Sequence, residues 1–296
     1  MKSDCRFWAG RGFWVPASCP KAPCLREAKG GAVLDIAYVV QTAVWQGDKI
    51  DNATGDSMTD RRHQAVRRDG YTCQGCGCRS AVTAKDLWCG LEVHHLDGSE
   101  RNNKEDNLVT VCPLCHGILH FDIMLKEGKM PGRFLWTDAI AQPELNMATH
   151  VLAVLEILCR DLENDPRAGE EGLKTALKLR ARCRKAAAGL NELAVPKGAP
   201  FLGSKEEGVS LTDDPAAFGS ALGEFLRQNP AARERDAVAA RLRPLRWLYD
   251  WRADLKAGCY AAAPIWNRDG EWPGEWAAEA KRVLLALEGR LPGKRS

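Results

Sequence analysis

Tyr71-Thr72-Cys73-Gln74-Gly75-Cys76, then Glu92-Val93-His94-His95, then Asn107-Leu108-Val109-Thr110-Val111-Cys112-Pro113-Leu114-Cys115-His116 is the stretch that decides the fold. It holds two Cys-x-x-Cys pairs with a double histidine between them. A tetrahedral zinc ion takes four soft ligands converging from two short loops, and two such knuckles supply them. Cys73, Cys76, Cys112 and Cys115 are therefore expected to hold a structural zinc. Cys78 and Cys89 lie nearby, and either can replace Cys76. The competing reading, four buried free thiols, fits the paired spacing poorly.

The histidines suggest a second centre beside the first. His94-His95 ends a short apolar run (Leu87, Trp88, Leu91, Val93) that reads as a strand, and Leu108 to Val111 reads as its partner. Between them, Asp97-Gly98-Ser99 and Asn102-Asn103 form a loop rich in turn residues. After Pro113 the run Leu114 to Phe121 starts a helix. On it His116 and His120 stand four residues apart and share one face.

This strand, loop, strand and helix resembles the HNH, or ββα-metal, nuclease motif, matched at Tyr71, Cys73, Cys76, His94-His95, Asn107-Leu108, Cys112 and Cys115-His116. Phosphodiester hydrolysis needs an activated water and a cation to hold charge on the phosphate and the leaving oxygen. The resemblance implies that His95 is the general base, since an imidazole accepts a proton near neutral pH. It implies that His94 and His116 bind a second divalent metal, with His120 completing the set, and that Asn107 pins the loop orienting His95. Zinc, nickel, cobalt or manganese suit such imidazoles; magnesium, which prefers oxygen, suits them less. The competing reading is that some of these histidines only cap or pack, His120 above all, beside Ile118-Leu119 and Phe121.

Composition bounds the rest. At 296 residues, with 45% hydrophobic and 27% charged residues, the chain reads as an ordinary globular protein of about two domains. No apolar run reaches the roughly 18 residues of a membrane span, and the first thirty residues lack a signal-peptide core. Cysteines clustered as knuckles in such a chain point to a reducing cytoplasm. Cys5, Cys19 and Cys24 are three ligands without an obvious fourth. The net charge of +3 excludes a strongly basic DNA-coating protein. Arg61, Arg62, Arg67 and Arg68 nevertheless flank the first knuckle and are candidate backbone contacts for nucleic acid. Basic runs further on (Lys174 to Lys185; Arg241, Arg243, Arg246) are diluted by acidic neighbours and read as solvated helix faces.

The expected architecture is α+β. An irregular region covers residues 1–60, with an apolar run from Ala32 to Trp45. A small zinc-stabilised ββα-metal module covers 61–125, and a mainly α-helical region covers 126–296. Phe134-Leu135-Trp136 suggests one more strand. Helices are expected from Gln142, over Glu171 to Leu193, after the Asp214-Pro215 cap, between Pro230 and Pro244, and from Trp276 to Leu291. Leu245, Leu248, Trp251 and Leu255 continue the helical pattern past Pro244. The tryptophans Trp247, Trp251, Trp266, Trp272 and Trp276 read as core, with a docking surface as the competing reading.

A wider resemblance covers about residues 65–255. Arg68 to Gln74, Leu96-Asp97-Gly98, Asn102-Asn103, Asp106 to Thr110, Gln142-x-Glu144-Leu145-Asn146 and Asp214 to Gly219 are similar to the IcmJ (DotN) component of type IVB secretion systems. That family implies an HNH-like zinc module joined to helices, acting as an adaptor among coupling-complex proteins of secretion or conjugation machinery, reached at the inner membrane through partners. The family largely replaces the nuclease histidines, whereas His94, His95 and His116 stand here. Two functions are therefore expected: a coupling-complex adaptor in which nuclease activity is an open addition, or an active metal-dependent HNH endonuclease acting on DNA.

Overall fold

A computed structural model describes residues 36, 56–78, 91–99, 101–164, 169–195, 214–228, 232–252 and 282–291. Cys5, Cys19, Cys24, Cys89, Trp266, Trp272, Trp276 and nearly all of the run from Ala32 to Trp45 lie outside them. The fold is α+β, helical with two small antiparallel sheets.

The module begins with α1 (Asp56–Arg68). Arg67 and Arg68 occupy its last turn, where cations complement the helix dipole. The chain then reverses through Gly70 and Tyr71, both at positive φ (61° and 53°), and enters the first knuckle. Gln74 N–H donates to the Thr110 carbonyl at 2.8 Å, which lays the knuckle against the sheet. That sheet pairs β1 (Glu92–His95) with β2 (Leu108–Val111), His94 opposite Val109 and His95 opposite Leu108. Pro113 opens α2 (Pro113–Leu119), where its missing N–H costs nothing, and α3 (Phe121–Lys126) follows at a bend on His120. The expected order of strand, loop, strand and helix is present.

The helical region comprises α4 (Gln142–Asn164), α5 (Gly169–Glu192), α6 (Pro215–Gln228) and α7 (Ala232–Leu242). Asp214 caps α6, its Oδ1 accepting from the N–H of Ala216 and Ala217 at 3.0 Å each. Residues 282–288 are helical as expected. One expectation fails: Leu245 to Tyr249 is a strand, β4 (Leu245–Tyr249). It pairs with β3 (Gly132–Trp136), the strand suggested by Phe134-Leu135-Trp136. All five residues of β4 are buried, so no polar alternation marks it in the sequence.

Phe121, Phe134, Phe218 and Trp247 form the aromatic centre where α3, β3, α6 and β4 meet, with ring centroids 4.7 to 6.3 Å apart. Gln142 seals β4 to α4: its side chain donates to the Trp247 carbonyl and accepts from the Trp247 N–H, each at 2.8 Å. The basic helix faces are ion-paired locally, Arg180 with Glu163 at 2.5 Å and Arg182 with Glu288 at 3.4 Å. Arg246 is buried and donates to the carbonyls of Ile140, Arg243 and Leu245. No helix among the described residues is long and apolar enough to cross a membrane.

Helix α6 lies directly on α3 because it presents Gly219 and Gly223. A Cβ at Gly219 would meet the Asp122 carbonyl oxygen at 2.5 Å, and one at Gly223 would meet Asp122 Oδ2 at 3.0 Å. Asp122 is thereby buried, its Oδ1 without a hydrogen bond, and burial raises its pKa from 3.8 to about 6. An unfolded chain sheds this proton near 3.8; the fold holds it to about 6. Stability is therefore lost as pH rises through that window, by on the order of 2–3 kcal/mol. Asp122→Asn should raise the denaturant midpoint at pH 7.5 and leave it nearly unchanged at pH 4. An equal effect at both pH values would contradict this reading of the site.

Candidate metal centres

Cys112 ends β2 and caps α2, so its sulfur sits at the junction of the two. The sulfur accepts from the Cys115 N–H at 3.4 Å, and in the first knuckle the Cys73 sulfur accepts from the Cys76 N–H at the same distance. Both are sulfur-turn geometries that prepare thiolates. Cys76 Sγ lies 3.7 Å from Cys112 Sγ. Two sulfurs at ~2.3 Å from one tetrahedral ion stand about 3.8 Å apart, so the spacing fits zinc. The sulfurs of Cys73, Cys76, Cys78 and Cys112 all lie within 4.8 Å of one another. Cys115 is buried in the same cluster and interacts with Cys112, Cys73 and Cys76. The structure thus gathers Cys73, Cys76 and Cys112 with Cys78 into one set of four, and places Cys115, the fourth cysteine expected from the sequence, beside that set. Cys78 is placed by the knuckle's own turn, in which Cys73 N–H donates to the Cys78 carbonyl at 2.9 Å and Gly77 takes φ +82°. Burial pushes the Cys112 thiol up to about 12, whereas hydrogen bonds from Cys112 and Cys115 draw Cys76 down to about 6. A divalent cation among these clustered sulfurs would stabilise their thiolate forms.

The second centre is built from β1, α2 and the bend at His120. Side chains alternate along a strand, so Glu92 and His94 project toward α2 and His95 projects away. The rings of His94, His116 and His120 stand edge to face, with centroids 4.7 to 5.3 Å apart, and their ligand nitrogens lie within 4.8 Å. His116 Nε2 and His120 Nε2 are 3.1 Å apart, about the separation of two imidazole nitrogens bound at ~2.1 Å to one ion. Glu92 Oε2 lies 2.5 Å from His116 Nδ1, which donates to it and leaves Nε2 as the ligand atom. His94 Nε2 is buried and has no hydrogen-bond partner, an arrangement that a bound metal resolves. Burial, then the neighbouring imidazoles, hold His94 well below the ordinary histidine range; burial and His116 lower His120 to about 3. Both are therefore neutral at pH 7, the form that binds metal.

His95 faces the loop instead. Its Nε2 lies 2.9 Å from Asn103 Oδ1. Asn107 is buried and donates from Nδ2 to Asp97 Oδ1 and the Asn102 carbonyl, both at 2.8 Å, while its Oδ1 accepts from the Asp97 N–H at 3.0 Å. It pins the loop from Asp97 to Asn103, and Asn103 touches the histidine. Of the four arginines, Arg68 is committed to the Asp69 carboxylate and the carbonyls of Glu105 and Leu108, and Asp69 in turn accepts from the Thr110 N–H at 3.0 Å. Arg61 is exposed and donates to the Asn103 carbonyl at 2.8 Å; Arg62 is half-buried and Arg67 exposed. Glu92 and Asn103 stand within the quoted motif, but nothing in their spacing assigns them a role. Asn146 and His150 reach the cysteine cluster from α4; Asn146 stands in the stretch that carries the wider resemblance, but no spacing rule ties either residue to the cysteines.

An imidazole triad on a ββα hairpin backed by a cysteine cluster defines a ββα-metal module. Two curated proteins are similar to parts of the chain. It is 33% identical to the type 4 apparatus protein DotN of Legionella pneumophila over 86 residues, 29% of this chain and 37% of DotN. It is 35% identical to the H-N-H endonuclease F-TflIV of Escherichia phage T5 over 81 residues, 27% of this chain and 34% of that enzyme. The chain therefore matches about a third of the length of each, consistent with a DotN-like HNH module. No protein-family model matches.

Structural zinc supplies on the order of 10 kcal/mol in small zinc modules. Cys112→Ser should therefore give insoluble or protease-sensitive protein, checked by solubility and limited proteolysis. A soluble, protease-resistant Cys112→Ser protein would remove the metal from its place in the fold.

Proposed function

We propose that the module is a metal-dependent phosphodiesterase of the HNH type, cutting DNA. The observation that carries this is the convergence of His94, His116 and His120 around a buried, unpartnered His94 Nε2. A divalent ion held there, with zinc in the cysteine cluster, would stabilise charge on the phosphate and the leaving oxygen. Asn103 Oδ1 accepts from His95 Nε2–H, so Nδ1 of the same ring takes the proton from the attacking water. Asn107 holds the loop that keeps Asn103 in place. Arg61, Arg62 and Arg67, on α1 beside this loop, supply positive charge for a nucleic-acid backbone.

The similarity to DotN favours a second role for the same chain, as an adaptor among coupling proteins of a secretion or conjugative apparatus at the cytoplasmic side of the inner membrane. In that role the helical region carries the partner surface. The two roles are compatible: an adaptor of DNA transfer can also cut.

Purified protein should nick supercoiled plasmid with added manganese or nickel, and more weakly with magnesium. His95→Ala should lower the rate by at least about 100-fold while metal content and fold persist. Nicking by His95→Ala at the parent rate would show that His95 is not the base. Absence of nicking by folded, metal-loaded parent would leave the module as a scaffold.

A further inference from the structure

The cysteine cluster is not closed by the module alone. His150 Nε2 lies 3.2 Å from Cys112 Sγ, and Asn146 Nδ2 lies 3.3 Å from Cys115 Sγ. Both residues are 2% exposed. They stand four residues apart on α4, so one face of that helix delivers both groups. An amide NH2 has only protons to offer a sulfur. The His150 Nε2–Cys112 Sγ separation of 3.2 Å lets an imidazole N–H reach the sulfur. Four thiolates on a divalent ion leave two negative charges in a buried place, and such charge requires donors.

The contacts continue into the helical region. Gln142 Nε2 donates to Asn146 Oδ1 at 2.8 Å, and Gln142 also holds both backbone groups of Trp247 in β4. A chain of buried hydrogen bonds therefore runs from Cys115 through Asn146 and Gln142 to the β3–β4 sheet.

We propose that His150 and Asn146 are positioning residues of the cysteine metal centre. They donate N–H groups to the metal-bound thiolates of Cys112 and Cys115, and so couple metal occupancy to the docking of the helical region. This rests on the reading of the cluster as a metal site.

The test uses the full chain loaded with cobalt(II). Its sulfur-to-metal charge-transfer bands report the thiolate site and are silent to the imidazole site. His150→Gln and His150→Met are close in size, but only glutamine keeps a donor. Methionine should shift the bands and speed metal loss to a chelator by about tenfold or more; glutamine should stay within about twofold of the parent. Parent-like bands and release in His150→Met, or equal acceleration in both variants, would overturn the proposal. If His150→Met does not fold, Asn146→Leu gives the same readout at Cys115, where release at the parent rate would overturn it equally. A parent without thiolate bands would instead show that the cluster holds no metal, a different failure.

Discussion

The sulfur of Cys112 is the point from which the rest of the structure is hung. It follows β2, caps α2, lies 3.7 Å from Cys76 Sγ of the first knuckle and 3.2 Å from His150 Nε2 of α4. Each of these elements is too short or too polar to stand alone: β1 and β2 have four residues each and α2 has seven. A two-stranded hairpin of this length is marginal in water, and a two-turn helix does not form by propensity. A metal ion shared by the sulfurs would cross-link these elements and stiffen the hairpin that carries His94 and His95 on opposite faces. Pro113 and His116 are one turn apart on the helix that Cys112 caps.

The division between the two halves of the chain is less sharp than a nuclease module with an appended helical region would suggest. The aromatic centre takes Phe121 from the module's last helix, Phe134 and Trp247 from the β3–β4 sheet and Phe218 from α6. Asp122 is buried under α6, and α4 reaches the sulfurs. A change in the helical region, such as a partner binding it, therefore has a physical path to the hairpin that bears the histidines. That path gives the two proposed roles a common frame.

Much of the site is legible in the sequence because its signals are local. Two Cys-x-x-Cys knuckles, a double histidine at a strand end, Pro113 at a helix start and a His-x3-His spacing each act over a few residues. The order of strand, loop, strand and helix follows from them, as do α4, α5 and α6 from their apolar periodicity. The hidden features depend on contacts distant in the chain. Gly132 pairs with Tyr249, and Leu245–Tyr249 reads as helix because its apolar residues recur three apart and no polar face interrupts them. Cys78, expected from the sequence only as a replacement for Cys76, joins the sulfurs beside it through a glycine turn whose positive φ no spacing rule gives. His150 reads as one more polar residue on a long helix until α4 is laid against Cys112. By charge alone Arg68 is available to nucleic acid; in the fold its guanidinium is spent on Asp69 and on backbone carbonyls.

One small fold holding two chemically distinct metal centres, one of thiolates and one of imidazoles, is tested most directly by a cobalt(II) titration. Metal-stripped parent and a His94→Ala/His116→Ala variant are titrated and followed by absorption. The parent should take two equivalents, a tight one with thiolate charge-transfer bands and a weaker one without them, and the variant only the first. A single equivalent in both proteins would contradict the two-centre fold: the three imidazoles would then be packing against one another and not awaiting a metal.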